Sequence, residues 1–240
     1  MTRQQRWLCG LVVVLAMTCS AGASDPPDSA INPSTGNIEI ADPVWAGTNQ
    51  NIDFVVQISG QKPQVHTVTD NSLDDLRPRI AHASNGDAWV TWWRDDATDA
   101  VLIRKRHLSD GSWDAERLLS DPGESSRNPS IVHDGTNAWV AFEFDDQADT
   151  GIAVEMILDD PDPVGIRVMV GTTDFGDTTA PMARAAQGHL WVTWIDSASD
   201  VGWAEYDYAS ETWSLSLTES YALDSVEDAR GRIRDTVVNP

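Results

Sequence analysis

Short apolar runs, each bounded by Gly, Asn, Asp and Ser, follow one another along this chain. Most alternate apolar with polar, as half-buried strands do. Residues 52–58, IDFVVQI, are rich in β-branched side chains and lie between Asn51 and Gly60. Residues 64–68, QVHTV, repeat the alternation. Three runs break it by being apolar on both faces: AWVTWW from Ala88, AWVAFEF from Ala138 and LWVTWI from Leu190. Two-faced burial is what a strand needs when a sheet is covered on both sides. No stretch has a helical period with caps.

The two-faced runs are parts of a repeat. RPRIAHASNGDAWVTW starts at Arg77, RNPSIVHDGTNAWVAF at Arg127 and APMARAAQGHLWVTW at Ala180, and a half-copy, ARGRI, starts at Ala229. Pro78, Pro129, Pro181 and Gly231 are equivalent, about 50 residues apart, and so are Trp89, Trp139 and Trp191. That period is the length of a propeller blade. The first repeat predicts strands at 79–83, 88–93, 101–107 and 113–119. The second predicts 130–133, 138–144, 152–158 and 165–171, and the third 182–185, 190–195, 202–207 and 213–219. The expected fold is therefore all-β, a β-propeller-type array of about four four-stranded antiparallel blades. The three tryptophans are expected to pack between blades. Residues 232–238 are expected to supply the inner strand of a blade whose other strands are 37–40, 52–58 and 64–68, closing the ring. The rival expectation is a section of a larger propeller, or one that completes itself by self-association.

The amino terminus changes the address. Arg3 and Arg6 precede a 13-residue apolar run from Trp7 to Cys19, and Ala21-Gly22-Ala23 is a small-x-small site. Residues 1–23 read as a signal peptide cleaved after Ala23, with secretion or a periplasmic location as the outcome. Lipidation at Cys19 is the weaker alternative, because Leu15 and Thr18 fit a lipoprotein signal poorly. Residues 24–36, rich in Asp and Pro, read as an irregular leader, and 37–240 as one domain large enough for a sizeable core. Both cysteines, Cys9 and Cys19, leave with the signal. No membrane insertion is expected after cleavage.

Charge excludes some partners. The formal net charge is −22, and only Lys62 and Lys105 are lysines. Such a surface repels phosphate backbones, so nucleic acid is not an expected partner. Most of the acids are Asp, many in turns, where the side chain bonds its own backbone.

The P-x-I … W-V-x-W repeat followed by a D-rich turn resembles the blades of sialidase-type (BNR, Asp-box) β-propellers over residues 76–233. The turns at 108–113 (LSDGSW) and 208–213 (YASETW) keep the tryptophan of the Asp-box but not its Asp spacing. The resemblance implies a glycan-related propeller. In the sialidases it also implies three arginines clamping a substrate carboxylate, with a Tyr nucleophile, a Glu partner and an Asp acid.

Blade connectivity places the 4→1 linkers and the 2→3 turns on one face of the disc. The linkers bring Arg77, Arg79, Arg127, Arg230 and Arg232 there, with Arg184 further into its strand. Bidentate arginine is the chemistry of anion binding. The 2→3 turns carry Asp95, Asp96 and Asp99, then Asp145, Asp146 and Asp149, then Asp196 and Asp200. The same residues either pair with the arginines or, as oxygen ligands, hold Ca²⁺; no other cofactor is expected. Tyr206, Tyr208 and Tyr221 lie outside the first strands, so no Tyr–Glu pair stands where hydrolysis needs it. His82 and His133 are equivalent and expected to be structural, and no zinc pattern occurs. The expected function is a non-catalytic binding module for a glycan or an extracellular protein, acting through the arginine-and-aspartate face. The alternatives are a sialidase-like glycoside hydrolase and a structural envelope protein with no small ligand.

Overall fold

The computed structural model of the protein describes residues 27–158, 166–172, 181–195 and 201–219. These form four four-stranded antiparallel sheets and no helix. The first blade is β1 (Asp28–Ile31), β2 (Ile38–Ala46), β3 (Asn49–Gln57) and β4 (Gln64–Thr67). The second is β5 (Asp74–His82), β6 (Ala88–Asp95), β7 (Ala100–Arg106) and β8 (Arg117–Leu118). The third is β9 (Ser125–His133), β10 (Ala138–Asp145), β11 (Thr150–Ile157) and β12 (Ile166–Thr172). The fourth is β13 (Met182–Ala186), β14 (His189–Ile195), β15 (Val201–Asp207) and β16 (Thr212–Glu219). Strands follow chain order within every sheet, and the first strands of successive blades touch. This is a β-propeller arrangement, as the repeat predicts.

Two expectations need correction. The stretch read as an irregular leader contains β1, which pairs with β2 from Asp28↔Ala41 to Ile31↔Ile38. The first blade therefore has its inner strand from residues 28–31, and the place reserved for 232–238 is filled. Residues 232–238 and 1–23 lie outside the described residues. The fourth strand of the second blade is also shorter than expected: two residues and an isolated bridge between Arg106 and Trp113.

The inner strands β5 and β9 each carry a bulge. Pro78 and Pro129 lack the N–H that a ladder uses, so the pairing slips there. Arg77 and Asn128, the residues just before them, take φ of 48° and 52°. Arg77 Nη1 donates to Asn128 Oδ1 of the next blade, and Asn128 Nδ2 donates to the buried Glu143 at 3.0 Å.

Among the described residues, the core consists of three seams between neighbouring blades. In the first, Ala41, Ile52, Phe54 and Val56 meet Ile80, Val90, Trp92 and Leu102. In the second, Trp89, Trp93, Val101 and Ile103 meet Val140, Phe142, Ala153 and Ile157. In the third, Trp139, Ala141, Ile152 and Val154 meet Leu190, Val192, Trp194 and Ala204. Trp89 and Trp139 thus pack between blades as expected. Trp191, their equivalent, is only half buried and stacks within its own blade, 5.6 Å from Trp203. Gly171 and Gly202 let Trp194 lie flat in the third seam. A Cβ on either would sit 2.2 Å or 2.3 Å from its ring.

Candidate functional site

A cleft of about 560 Å³ opens at the third seam, in the range typical of small-ligand sites. It lies at the end of the blades where strand one turns into strand two, opposite the end where Arg77 and Arg127 stand. Its walls come from three turns and the strands beside them: residues 133–139, 185–188 and 206–211.

Asp134 organises the first wall. Its Oδ1 accepts the Thr136 and Asn137 amides, each at 2.7 Å, which is the turn chemistry that favours Asp here. Its Oδ2 accepts the Trp139 indole N–H at 2.7 Å, fixing that ring as the back of the cleft. Burial alone would raise the Asp134 pKa, but the Asn137 amide, the indole and the Thr136 amide outweigh it and hold the carboxyl below its ordinary range. His133 Nδ1 accepts the Gly135 amide at 3.0 Å, so the neutral ring carries its proton on Nε2.

The opposite wall follows from strand periodicity. Tyr206 and Tyr208 are two residues apart along β15 and its turn, so both rings face the seam. Trp139 lies 5.3 Å from Tyr206 and 6.1 Å from Tyr208, and the two tyrosines meet edge to face at 5.5 Å. The Tyr208 hydroxyl is buried and its neighbour is the Asp134 carboxylate, close enough for a hydrogen bond to shift both groups but short of ideal geometry. Burial first, then that charge, pushes its pKa up. The rim is a tight hairpin in which Gln187 and Gly188 both have positive φ, 52° and 85°. That is a type I′ turn, for which glycine at the second position is suited.

The arginines are placed elsewhere. Arg127 grips the buried Asp99 through Nε at 2.6 Å and Nη2 at 2.5 Å, and lies over the Trp93 ring. Arg77 reaches Asn128, and Arg79 donates to the Pro78 carbonyl at 3.0 Å. Arg184 is exposed on the outward face of the fourth blade, paired in register with Trp191. None of the four lines the cleft. Arg230, Arg232, Asp196 and Asp200 lie outside the described residues.

The acidic turns mostly serve their own backbone. Asp96 accepts the Ala97 amide, Asp145 the Gln147 amide, and Asp146 the amides of Ala148 and Asp149. Asp95 and Asp149 are exposed. Among the described residues no three His, Cys, Asp or Glu side chains gather as a metal site. His82 is structural, held at 2.7 Å by the buried Glu39. Sequence reasoning set the tyrosines aside because they miss the inner strands. The Tyr-Asp-Tyr alternation before a turn was the signal that both rings share a face.

No protein-family model matches the sequence, and no curated protein matches it. Solved structures do resemble the fold. A Hadza microbial sialidase superposes with a TM-score of 0.59 at 11% identity, covering 83% of this chain and 47% of its own. A thermostable family-43 glycoside hydrolase gives 0.54 at 9%, over 82% of this chain and 76% of the other. The SapL1 lectin, solved in complex with alpha methyl fucoside, gives 0.54 at 16%, over 82% and 64%. The chain thus spans about half the length of the sialidase. At these identities the likeness establishes the fold: the protein is a β-propeller.

Proposed function

We propose that this chain is an exported, non-catalytic propeller that binds a glycan in the cleft of the third seam. One observation carries the reading. The buried hydroxyl of Tyr208 and the Asp134 carboxylate it interacts with stand together in front of an aromatic wall of Trp139 and Tyr206. A sugar offers an apolar C–H face to such a wall and hydroxyls to such oxygens. Similar propellers include a lectin with a bound fucoside and two glycosidases, which supports a carbohydrate ligand.

The test is a titration of mono- and oligosaccharides followed by tryptophan fluorescence and calorimetry. A binding sugar is expected, with Tyr208→Phe weakening it by about 1–3 kcal/mol, the cost of a lost hydrogen bond to a desolvated group. Turnover of fluorogenic glycosides would move the assignment to a hydrolase. Binding that ignores both Tyr208→Phe and Asp134→Asn would place the sugar elsewhere, and silence across the panel would favour an extracellular protein ligand or a structural role.

A further inference from the structure

Each seam joins the same two surfaces. The face of one blade that carries the Trp89 or Trp139 position packs on the reverse face of the next blade. Among the described residues, the row of four blades leaves one of each unused. Among the described residues, extended contacts run first blade to second, second to third and third to fourth, and none of that extent joins the fourth to the first.

The leftover surface of the fourth blade is its tryptophan face. Register puts Arg184, Trp191 and Glu205 in one cross-strand row and Met182, Thr193 and Trp203 in the next. The leftover surface of the first blade is a reverse face. Ile40, Val55 and Val65 form one row, with Ile31 and Ile38 beside them. Ile31 is 69% exposed and Val65 60%. An apolar sheet face of this kind marks a surface that another surface covers.

The two faces carry charges of opposite sign, the Glu205 carboxylate in the Arg184 row being paired with His189 at 2.7 Å. Asp42 and Asp53 are cross-strand partners in the middle of the first blade's reverse face. The position of Asp42 is held in the second, third and fourth blades by Trp92, Phe142 and Trp194, all buried in seams. Two like carboxylates side by side on an apolar face are unfavourable without a cation opposite. Burial pushes both above the ordinary carboxylate range, and for Asp42 the Asp53 charge adds to it. The opposing face provides the cation. Arg184 stands where Ala81 and Val132 pair with the tryptophans of the second and third blades, and it is exposed.

We propose that the occupant of each leftover face is a second copy of this chain, the tryptophan face of one fourth blade packing on the reverse face of the other's first blade. Two such contacts related by a two-fold axis close a ring of eight blades and leave neither face exposed. The contact repeats the front-to-back packing of the three internal seams, with an Asp42/Asp53-to-Arg184 charge match added.

Light scattering after size exclusion tests this on the mature chain. The wild type is expected to run as a dimer. Ile40→Glu blocks one face and Trp203→Glu the other, so each variant alone is expected to be monomeric. Mixing the two is expected to restore a dimer, because one intact face of each kind is then present. Val65→Lys, on the exposed edge strand, repeats the first block should Ile40→Glu lose its β-type circular dichroism. Three outcomes overturn the proposal: a wild-type monomer at every concentration, a dimer that survives both blocks, or blocked variants that do not recombine. A wild-type monomer in which Ile40→Glu lowers the melting temperature would show that the chain covers its own end face.

Discussion

The second and third seams start from the same sequence pattern and end differently. In the second, Lys105 is the cross-strand partner of Trp89. Its ammonium sits 5.3 Å from the indole centroid and 3.2 Å from Asp87, filling the space above the ring. Arg127 ties the blades by gripping Asp99, and Arg117 does so through Glu155 at 2.8 Å. In the third, Met156 is the partner of Trp139, and the indole donates to Asp134. No lysine or arginine lines the space there, and it remains a cleft. The difference teaches that blade packing fixes where a tryptophan stands, while one cross-strand neighbour decides whether its face is closed or available.

Removing the two tryptophans tests that claim most severely. Trp89→Ala and Trp139→Ala should each cost about 3–5 kcal/mol in chemical denaturation, as buried aromatic truncations do. Only the second should abolish sugar binding. Equal loss of binding in both would mean the cleft is not a local site.

The fit of the third seam can be broken without touching the cleft. Gly171→Ala drives a methyl into the Trp194 ring and should cost about 1–3 kcal/mol. An unchanged denaturation midpoint would show that the ring has room to move.

The second seam should respond to pH through Glu155. Burial raises its carboxyl from 4.5 to about 7, against the opposing pull of Arg117 and Arg167. The folded protein then holds this proton more tightly than the unfolded chain. Its contribution to stability is full below 4.5 and is lost as pH rises to about 7. Glu155→Gln should remove that dependence, an effect on the order of 1–3 kcal/mol between about pH 5 and about pH 7.5. Parallel urea midpoints for wild type and variant across that interval would contradict the assignment.

The smallest effect sharpens the comparison most. Tyr208→Phe deletes a hydroxyl whose contact with Asp134 falls short of ideal geometry, so stability should fall by about 1 kcal/mol at most, while binding falls. A large loss of stability would show that the hydroxyl supports the fold.

The blades were legible in the sequence because their signals are local and repeated. Two-faced apolar strands, turn residues and equivalent prolines recur three times, and Trp89 and Trp139 pack as their run implies. The strand at 28–31 was not legible. Four residues beside Pro26 and Pro27 carry too little pattern, and their place is set by pairing with β2. The arginines were legible, and pairing with the aspartates of the turns was one of the readings open to them, but not which aspartate each would meet. That Arg127 meets Asp99 depends on how two blades sit against each other. The cleft was missed for the same reason: its walls come from three turns distant in sequence and adjacent only across a seam.

The hairpins that join first and second strands grow shorter along the chain. Six residues lie between β1 and β2, five between β5 and β6, four between β9 and β10, and two between β13 and β14. Where they are long they plug: Gly86 is wedged against Leu108, Ser34 and Asn32, at the end of the first seam. The cleft lies between the two shortest. Surface loops tolerate insertion and deletion far better than strands do. A lineage carrying this architecture therefore has an inexpensive route to a new specificity, or to none. Trimming or extending a hairpin opens or shutters a seam, and the strands that hold the molecule together need not change.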